Sequence, residues 1–248
     1  PKLTDFRTGV SSTSLDVKPV AVEDLLGRPQ AALDRDAMNN LIKGRKVLIT
    51  GAGGSIGSEL TRQISGLAPA EIVLLDNSEF NLYSIDMDLS RHAPSVPRRA
   101  MLADVRDRAR LNEIFSEISP ELVFHAAALK HVPMVEHNNS EGVLNNVIGT
   151  LVASEVAVEN NVETFVFIST DKAVRPTNTM GATKRSAELI LQAMAGKKHN
   201  TCFTMVRFGN VLDSSGSVIP LFRHQIKSGG PVTVTDVNIV RYFMTKTE

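Results

Sequence analysis

The sequence has one cysteine, no excess of either charge and no long apolar run, and each absence excludes a class of protein. A single cysteine, Cys202, cannot build a disulfide framework, which is typical of a reducing compartment, and its apolar neighbours predict a buried strand. Lys and Arg number 27, as do Asp and Glu, so the chain has no positive field for nucleic acid. No apolar run approaches the roughly 20 residues of a membrane helix and no signal peptide is recognisable, so we expect a soluble, cytoplasmic chain.

The composition is nevertheless that of a folded protein. With 248 residues, 42% of them hydrophobic, the chain can bury a core and suits one large domain, or one domain and part of another. It begins at Pro1 rather than Met, so we expect a piece of a longer protein. Residues 1–19 are rich in Ser, Thr, Lys and Pro and predict a poorly ordered arm. Residues 20–43 predict short amphipathic pieces that dock on the main domain or on a second subunit.

A strand, a glycine turn and a helix follow one another early in the chain. The apolar residues 47–49 predict the strand, and a helical pattern begins at Ile56. Three glycines lie between or just after them: Gly51, Gly54 and Gly57. They would permit a tight turn, close approach of the backbone to a pyrophosphate, and close packing of helix on strand. The N–H groups that begin the helix could then bind the phosphates.

The next predicted strand ends in a carboxylate, Asp76, which lies 19 residues past Gly57. An acidic residue at this spacing is placed to accept hydrogen bonds from the adenosine ribose. The spacing therefore predicts a dinucleotide site. Because a 2′-phosphate would meet the carboxylate and no Arg follows directly, we expect NAD rather than NADP.

From Gly44 onward strand and helix patterns alternate, which predicts a parallel sheet covered on both faces. Six strands with crossover helices make a doubly wound α/β fold of the Rossmann type, with predicted order 3-2-1-4-5-6 and ligands at the carboxyl ends of the strands. The predicted helices after the glycine turn are Ser78–His92, Arg108–Ile118, Gly142–Asn160 and Asn178–Gly196. We divide the chain into an arm with docking helices (1–43), an NAD-binding domain (44–210) and a truncated substrate lobe (211–248).

The third and fourth predicted strands each end in polar or small residues. Asp104 follows the third strand and could bond an adenine amino group, or could equally be an ordinary helix cap. Three alanines, residues 126–128, follow the fourth strand and would let the backbone approach a flat cofactor, with Lys130 and His131 next on the loop. The sequence contains no cluster with metal-ligand spacing, so we expect no metal site.

The segment after the fifth predicted strand carries adjacent opposite charges, Asp171 and Lys172. A surface ion pair would explain them, but both fall where the sheet would present cofactor and substrate. Lys184 lies four residues past Met180 at the start of a helix, so both side chains point the same way. An ammonium group there could bond the nicotinamide ribose.

Three of these features together resemble the extended short-chain dehydrogenase/reductase family. They are the turn at residues 50–57, the alanines after the fourth strand, and a helix in which Lys184 lies four residues after Met180. Three longer stretches narrow the resemblance: residues 76–83, 125–130 and 169–173. The chain resembles the nucleotide-sugar 4,6-dehydratases of the CapD-like polysaccharide-biosynthesis group, and most of all the catalytic domain of membrane-anchored, configuration-retaining UDP-N-acetylglucosamine 4,6-dehydratases.

The sequence departs from the superfamily at Met180, where most members have tyrosine. A thioether cannot titrate, but the large retaining dehydratases also carry methionine there, whereas the smaller inverting enzymes keep tyrosine. The chain also stops at Glu248, where relatives continue into the sugar-nucleotide lobe, so we expect an incomplete lobe.

The resemblance implies an internal redox cycle on bound NAD that converts the sugar to a 4-keto-6-deoxy product and consumes no cofactor. It assigns Asp171 as the acid for the C6 hydroxyl, Lys172 as the base for C5, and Thr170 as a bond to the C4 hydroxyl. Met180 would shape the pocket, and Lys184 would bond the nicotinamide ribose and lower the pKa of neighbouring acids. Asp171 or a chain of waters are both options for accepting the C4 proton.

Taken together, motif and resemblance predict two sets of ligand contacts. The predicted NAD contacts are Thr50, Gly51, Gly54, Ser55, Ile56, Gly57, Asp76, Asn77, Ser78, Asp104, Val105, Ala126, Ala127, Ala128, Lys130 and Lys184. The predicted contacts of a UDP-sugar, the last four of them implied by the resemblance alone, are Lys130, His131, Asn210, Val218, Pro220 and Arg241.

The resemblance also implies a homo-oligomer, and a parent protein anchored at the cytoplasmic face of the inner membrane. Two alternatives remain open at this point. A UDP-sugar 4-epimerase on the same fold would need an acid/base at position 180, which Met180 does not supply. A non-catalytic sensor of NAD or nucleotide sugar would have no need for the Asp171–Lys172 pair.

Overall fold

The structure, a computed structural model, describes residues 26, 28, 33–212, 214, 218–234, 236–238 and 240–245. The predicted amino-terminal arm lies outside the described residues, as does most of the docking segment. From that segment the structure describes one helix, α1 (Arg35–Ile42), which Asp34 caps by accepting a hydrogen bond from the N–H of Ala37 at 3.0 Å. Its apolar end, Ile42, is buried in the main core.

Six parallel strands form the central sheet in the order β3-β2-β1-β4-β5-β6. They are β1 (Lys46–Thr50), β2 (Glu71–Asp76), β3 (Arg98–Leu102), β4 (Leu122–His125), β5 (Thr164–Ile168) and β6 (Cys202–Val206). The predicted doubly wound order is confirmed. The order reverses between β1 and β4, which pair from Val47 opposite Leu122 to Thr50 opposite His125. This reversal opens a crevice at the carboxyl ends of the two strands.

Helices cover both faces of the sheet. Helices α1, α2 (Ser55–Ser65) and α3 (Glu79–His92) lie on one face; α4 (Arg108–Ile118), α7 (Gly149–Glu159) and α8 (Thr179–Ala195) lie on the other. Alternate strand residues feed the two cores, Val47 and Ile49 on one side and Leu48 on the other, because successive side chains of a strand point to opposite faces. The predicted helix at residues 108–118 is confirmed at both ends.

The predicted helix at residues 142–160 consists of three pieces. After α5 (Val132–His137) come α6 (Asn139–Val143), a π-helical segment (Leu144–Ile148) and then α7. Apolar spacing alone does not reveal a π-helical insertion, which is frequent at functional sites. None of the described helices is long and apolar enough to cross a membrane.

The edge strand β6 corrects one expectation. Cys202 lies in this strand as predicted, but its side chain is exposed rather than buried. Phe203 and Met205 pack against the core under α7 and α8, so the alternate residues Cys202, Thr204 and Val206 point to the opposite face. Beyond β6, a small parallel sheet joins β7 (Asn210–Val211) to β8 (Phe243–Met244), and α9 (Val218–Lys227) lies between them in the chain.

Candidate active site

The carboxyl ends of the strands surround an open cavity of about 630 Å³. Its walls come from the glycine turn after β1, the loop after β4, the ends of β5 and β6, and the first turns of α8. A smaller cavity of about 190 Å³ extends toward β2 and β3. Both are lined by Gly51, Gly54, Ala126, Ala128 and Leu129. The cavities are therefore adjoining parts of one groove at the point where the strand order reverses.

The glycine turn brings the start of α2 against this groove. A Cβ atom on Gly57 would lie 2.0 Å from the carbonyl oxygen of Gly51, so only glycine fits where α2 packs on the turn. Four other described α-helices begin with a side chain that accepts a hydrogen bond from their first turn: Asp34, Ser78, Asp107 and Asn178. Helix α2 instead follows Gly54 and has no side-chain cap among the described residues. Its positive end faces the groove at Ser55 and Ile56, an arrangement suited to phosphate.

The carboxylate of Asp76 lies at the end of β2 in the wall of the smaller cavity. It accepts hydrogen bonds from two backbone N–H groups, from Gly53 to Oδ2 and from Ser78 to Oδ1, both at 2.9 Å. These bonds hold the carboxylate beside Asn77 and Asn81, which also line the cavity. Asp76 is therefore fixed before any ligand arrives.

The carboxylate of Asp104 bonds the side chain of Arg106. Its two carboxylate oxygens accept hydrogen bonds from the guanidinium of Arg106 at 2.7–3.0 Å. These bonds lower the pKa of Asp104, although its partial burial acts in the opposite direction. Arg106 also pairs with Glu141 at 2.9 Å. The neighbouring Val105, rather than the carboxylate, lines the smaller cavity.

A fully buried histidine supports the loop after β4. The Nε2 atom of His125 lies 3.0 Å from Oγ1 of Thr150, whose hydroxyl donates to the carbonyl of Asn146 at 2.8 Å. Nε2 therefore carries the proton, and Nδ1 accepts from the hydroxyl of Thr50 at 2.8 Å. Thr50 in turn accepts from the N–H of Ala127 at 3.3 Å. Burial lowers the pKa of His125 to about 3, with the charge of Lys184 acting in the same direction, so the imidazole is neutral.

The π-helical segment clamps the same loop from the other side. The side chain of Asn146 accepts from the N–H of Leu129 at 2.8 Å and donates to the carbonyl of Leu129 at 2.9 Å. Its amide also donates to Oγ1 of Thr183 in α8 at 3.0 Å. One buried side chain thus links the loop that lines both cavities to the helix that carries Lys184.

The residues after β5 form a compact polar cluster. Nζ of Lys172 donates to Oδ1 of Asp171 at 3.1 Å and to Oδ1 of Asn210 at 3.0 Å. The hydroxyl of Thr170 donates to the same Asp171 oxygen at 3.0 Å. Thr170, Lys172 and Asn210 line the larger cavity. The backbone N–H of Asp171 donates to the carbonyl of Phe208 at 3.0 Å, which holds the ends of β5 and β6 together.

Helix α8 approaches this cluster closely through its first turn. A Cβ atom on Gly181 would lie 2.3 Å from the carbonyl oxygen of Lys172, so glycine is required at the contact. Met180 and Lys184 are both buried and line the larger cavity. Nζ of Lys184 donates to the carbonyl of Ile168 at 2.7 Å and lies 4.3 Å from the ring centre of Phe167. Burial lowers the pKa of Lys184 to about 7, against the opposing charge of Glu188.

A second buried carboxylate, Glu188, lies one turn after Lys184. Its Oε1 accepts from the hydroxyl of Ser169 at 2.6 Å and from Nε of Arg207 at 2.7 Å. Its Oε2 accepts from Nη2 of Arg207 at 2.5 Å and from Nη1 of Arg185 at 2.9 Å. Burial alone would raise the pKa of Glu188, but the hydrogen bonds from Arg207, Ser169 and Arg185 outweigh it and lower the pKa to about 2.

The predicted sugar-nucleotide residues come largely to one place. The residues of that set that line the larger cavity are Lys130, His131, Asn210, Val218 and Arg241. Arg241 reaches it because β8 pairs with β7, so that Phe243 lies opposite Asn210. Pro220 lies within α9, outside the lining that the described residues form around either cavity.

Sequence reasoning missed three of the residues that shape the site: Asn146, Gly181 and Glu188. The adjacent amides at 145 and 146 interrupt an apolar helical pattern, which is a signal for a buried polar contact. Glu188 lies on the buried side of its helix, between Ala187 and Leu191. A charged residue at such a position is nearly always paired, although its partners could not be identified from the sequence.

The pattern that describes the "Polysaccharide biosynthesis protein" family matches residues 47–248. Capsular polysaccharide biosynthesis protein CapD of Staphylococcus aureus is 48% identical over 99% of this chain. The probable polysaccharide biosynthesis protein EpsC of Bacillus subtilis is 51% identical over 94% of it. The chain spans only 41% and 39% of the length of these two relatives.

Two further relatives have names that state a reaction. A UDP-N-acetylglucosamine 4,6-dehydratase (inverting) of Campylobacter jejuni is 34% identical over 81% of this chain and 60% of its own length. A UDP-glucose 4-epimerase of Rickettsia canadensis is 36% identical over 81% of this chain and 59% of its own length. Among solved structures, Pen from Bacillus thuringiensis has a TM-score of 0.77 at 36% identity, covering 83% of this chain and 65% of its own.

Proposed function

Because the chain belongs to the polysaccharide biosynthesis protein family, we propose that it is the NAD-dependent catalytic unit of a nucleotide-sugar 4,6-dehydratase. We infer that its substrate is UDP-N-acetylglucosamine and its product a UDP-4-keto-6-deoxy-N-acetylhexosamine, for surface polysaccharide or glycan biosynthesis. One observation carries the proposal: Lys172 lines the cavity beside Asn210 and Met180, and its Nζ bonds both Asn210 and Asp171, a residue outside the described lining. This arrangement provides an acid and a base without the tyrosine of a simple dehydrogenase.

The groove fits a dinucleotide. Gly57 and Gly51 leave room for a pyrophosphate at the uncapped start of α2, and the fixed carboxylate of Asp76 suits the two hydroxyls of an adenosine ribose. A 2′-phosphate would lie against this carboxylate, which favours NAD over NADP. When bound, NAD supplies the reversible hydride acceptor that a dehydration without net oxidation requires. Lys184 lines the larger cavity, and we propose that it bonds the ribose nearest the reacting carbons.

The chain's own groups provide the proton transfers. Lys172 takes the C5 proton of the sugar, which a carbonyl at C4 makes acidic, and Asp171 gives a proton to the departing C6 hydroxyl, which leaves as water. Asp171, whose Oδ1 lies 3.1 Å from Nζ of Lys172, takes that proton from the C4 hydroxyl when C4 is oxidised, and Lys172 returns a proton to C5 after C6 is reduced, so both groups are restored within one cycle. Thr170 bonds Asp171 and lines the cavity, and we propose that it bonds the C4 hydroxyl.

Met180 supports the dehydratase over the epimerase. It is buried in the cavity wall at the first turn of α8, where an epimerase would need a titrating group. A thioether neither gives nor takes a proton, so its contribution is shape. By the resemblance noted above, methionine at this position also favours retention of the C5 configuration. A homo-oligomer and a membrane-anchored parent remain predictions.

Proton NMR of UDP-N-acetylglucosamine incubated with the protein in deuterium oxide tests the proposal. We expect a 4-keto-6-deoxy product that carries deuterium at C5 with the C5 configuration unchanged. A product altered only in configuration at C4 would replace the proposal with the epimerase. Bound NAD without any product from this or another nucleotide sugar would favour the sensor.

A further inference from the structure

We propose that Glu188 is a positioning residue that aligns the Asp171–Lys172 pair with Asn210 and with Lys184 for proton transfer. The inference rests on the function proposed above, because it assigns work to the same site. Glu188 itself is remote from the ligand: it does not line either described cavity, and its side chain has no exposed surface. Its influence therefore passes through the groups it holds.

The carboxylate of Glu188 joins three segments of the chain. It belongs to α8, the helix that carries Lys184 one turn earlier. It accepts from Ser169, which directly precedes Thr170 and Asp171 at the end of β5. It also accepts two hydrogen bonds from Arg207, which follows β6 and precedes Asn210 by three residues. Each segment supplies one part of the proton-transfer cluster.

The geometry of these bonds is restrictive. A carboxylate has about four acceptor positions, and here four donors occupy them, two on each oxygen. Arg207 is bound in the two-pronged manner that fixes both distance and orientation of a guanidinium. Backbone bonds from Ser169 to Val206 at 2.8 Å and from Asp171 to Phe208 at 3.0 Å continue the pairing of β5 with β6 past the end of the sheet. The Glu188 cluster thus anchors both strand ends just before they reach the cavity.

We expect the negative charge of Glu188 to act on Lys184, in addition to the alignment described above. The groups that face Glu188 are Arg185 on its own helix, Arg207 beyond β6 and Ser169 beyond β5, and its charge also acts on Lys184. Lys184 in turn faces the neutral His125 of β4. Because the negative charge of Glu188 raises the pKa of Lys184, its removal is expected to lower that pKa further below its present value of about 7. The titration of Lys184 therefore reports whether the charge of Glu188 acts at the site.

The test compares Glu188→Gln with Glu155→Gln in the protein loaded with NAD. Glu155 forms an exposed ion pair with Arg108 at 2.6 Å on α7, outside the site, and serves as the matched control. We expect Glu188→Gln to lower kcat by roughly 10- to 100-fold, since small misalignments of reacting groups have effects of this order, with KM and NAD content within about threefold of wild type. We expect Glu155→Gln to match wild type.

The titration of Lys184 is read separately by NMR of protein labelled with ¹³C at the lysine ε carbons. The signal is assigned by its loss in Lys184→Met, and we expect its midpoint to move to lower pH in Glu188→Gln. Unchanged kcat would overturn the inference whatever the midpoint, as would a loss confined to KM or to NAD content. If Glu188→Gln does not fold, Arg207→Lys decides, because it keeps the carboxylate and one cation but loses the two-pronged bond. An Arg207→Lys enzyme with wild-type kcat would overturn the inference.

Failure of the proposed function has a different signature. In that case wild type itself gives no dehydrated product while NAD remains bound, and the midpoint of Lys184 still reports whether Glu188 acts on it. An active wild type with an equally active Glu188→Gln would instead contradict the positioning role alone.

Discussion

The two adjoining cavities of the groove are built by different means. The smaller cavity and the start of α2 consist mainly of backbone groups and small residues, with one carboxylate, Asp76, held by two N–H groups. The end of the larger cavity near β5 and β6 consists of side chains that bond one another: Lys172 with Asp171 and Asn210, and Glu188 behind them with Arg207. We call the first region, made of backbone groups and small residues, the backbone cradle. We call the second region, made of side chains that bond one another, the side-chain network.

This difference separates recognition from chemistry. A backbone cradle tolerates little change in the size of its residues but needs no particular ionisation. The side-chain network depends on where protons reside and on the alignment of the groups that exchange them. Substitutions in the two regions should therefore have different effects: loss of NAD retention at the backbone cradle and loss of turnover at the side-chain network.

The largest effect is expected at the network. Lys172→Ala removes the proposed base for C5 and the donor to both Asp171 and Asn210, and we expect turnover to fall by roughly 10²- to 10⁴-fold because general base catalysis contributes about that much. The side chain is partly exposed, so unfolding temperature and NAD content should stay near wild type. Product formation followed by NMR and the absorbance of released NAD measure both. Full turnover would show that another group is the base.

The next largest effect is expected at the backbone cradle. There a substitution should reduce NAD retention rather than the rate of the reaction itself. Gly57→Ala puts a Cβ atom 2.0 Å from the carbonyl of Gly51, so α2 must move away from the turn. We expect about 3 kcal/mol loss of unfolding free energy, at the upper end for overpacking, and NAD retention reduced at least tenfold. The control is Gly66→Ala at the other end of α2, where the nearest atom lies at 3.5 Å. Retained NAD in Gly57→Ala would show that the turn does not carry the pyrophosphate.

The same contrast explains what could be predicted from the sequence. The strand order, the turn at residues 51–57 and the helix at 108–118 follow from local spacing, and the structure has them where they were expected. The network does not follow, because no sequence motif pairs Glu188 with Arg207 and their contact depends on how β6 ends against α8. The π-helical segment was not predicted, for a related reason. Its role is identified by the hydrogen bonds between Asn146 and Leu129, 17 residues away, and not by the local spacing of apolar residues.

A buried neutral group between the two regions gives a pH-dependent prediction. His125 has a pKa of about 3 in the folded state and about 6.5 when unfolded, so the unfolded chain binds more protons as pH falls. Its contribution to stability is complete above pH 6.5 and is lost as pH falls toward 3. Between pH 6.5 and 5, above the range in which Glu188 titrates, unfolding temperature should therefore decline in wild type.

His125→Phe tests this assignment. Phenylalanine keeps a ring against Phe167 but removes the acceptor of the Thr50 hydroxyl and the donor to Thr150, so we expect about 2 kcal/mol loss at pH 7.5 and a flatter decline from pH 6.5 to 5. His92→Gln, at a largely exposed position, should keep the wild-type decline. An equally steep decline in His125→Phe would assign the effect to another group.

The smallest effect is expected when a side chain that contributes only its shape to the cavity wall is replaced by one of similar volume and different chemistry. Met180→Leu removes the sulfur from the cavity wall but nearly conserves volume, so we expect turnover within about threefold of wild type and less than about 1.5 kcal/mol change in unfolding free energy. Met194→Leu is the matched control, since Met194 is buried in the same helix away from the cavity, where its sulfur accepts a hydrogen bond from Ser154 at 3.0 Å. If Met180→Leu lowered turnover 100-fold while Met194→Leu did not, the sulfur would have a role in the reaction. The proton transfers would then no longer rest on Asp171 and Lys172 alone, and the division between a shape-dependent cradle and a proton-dependent network would fail at this wall.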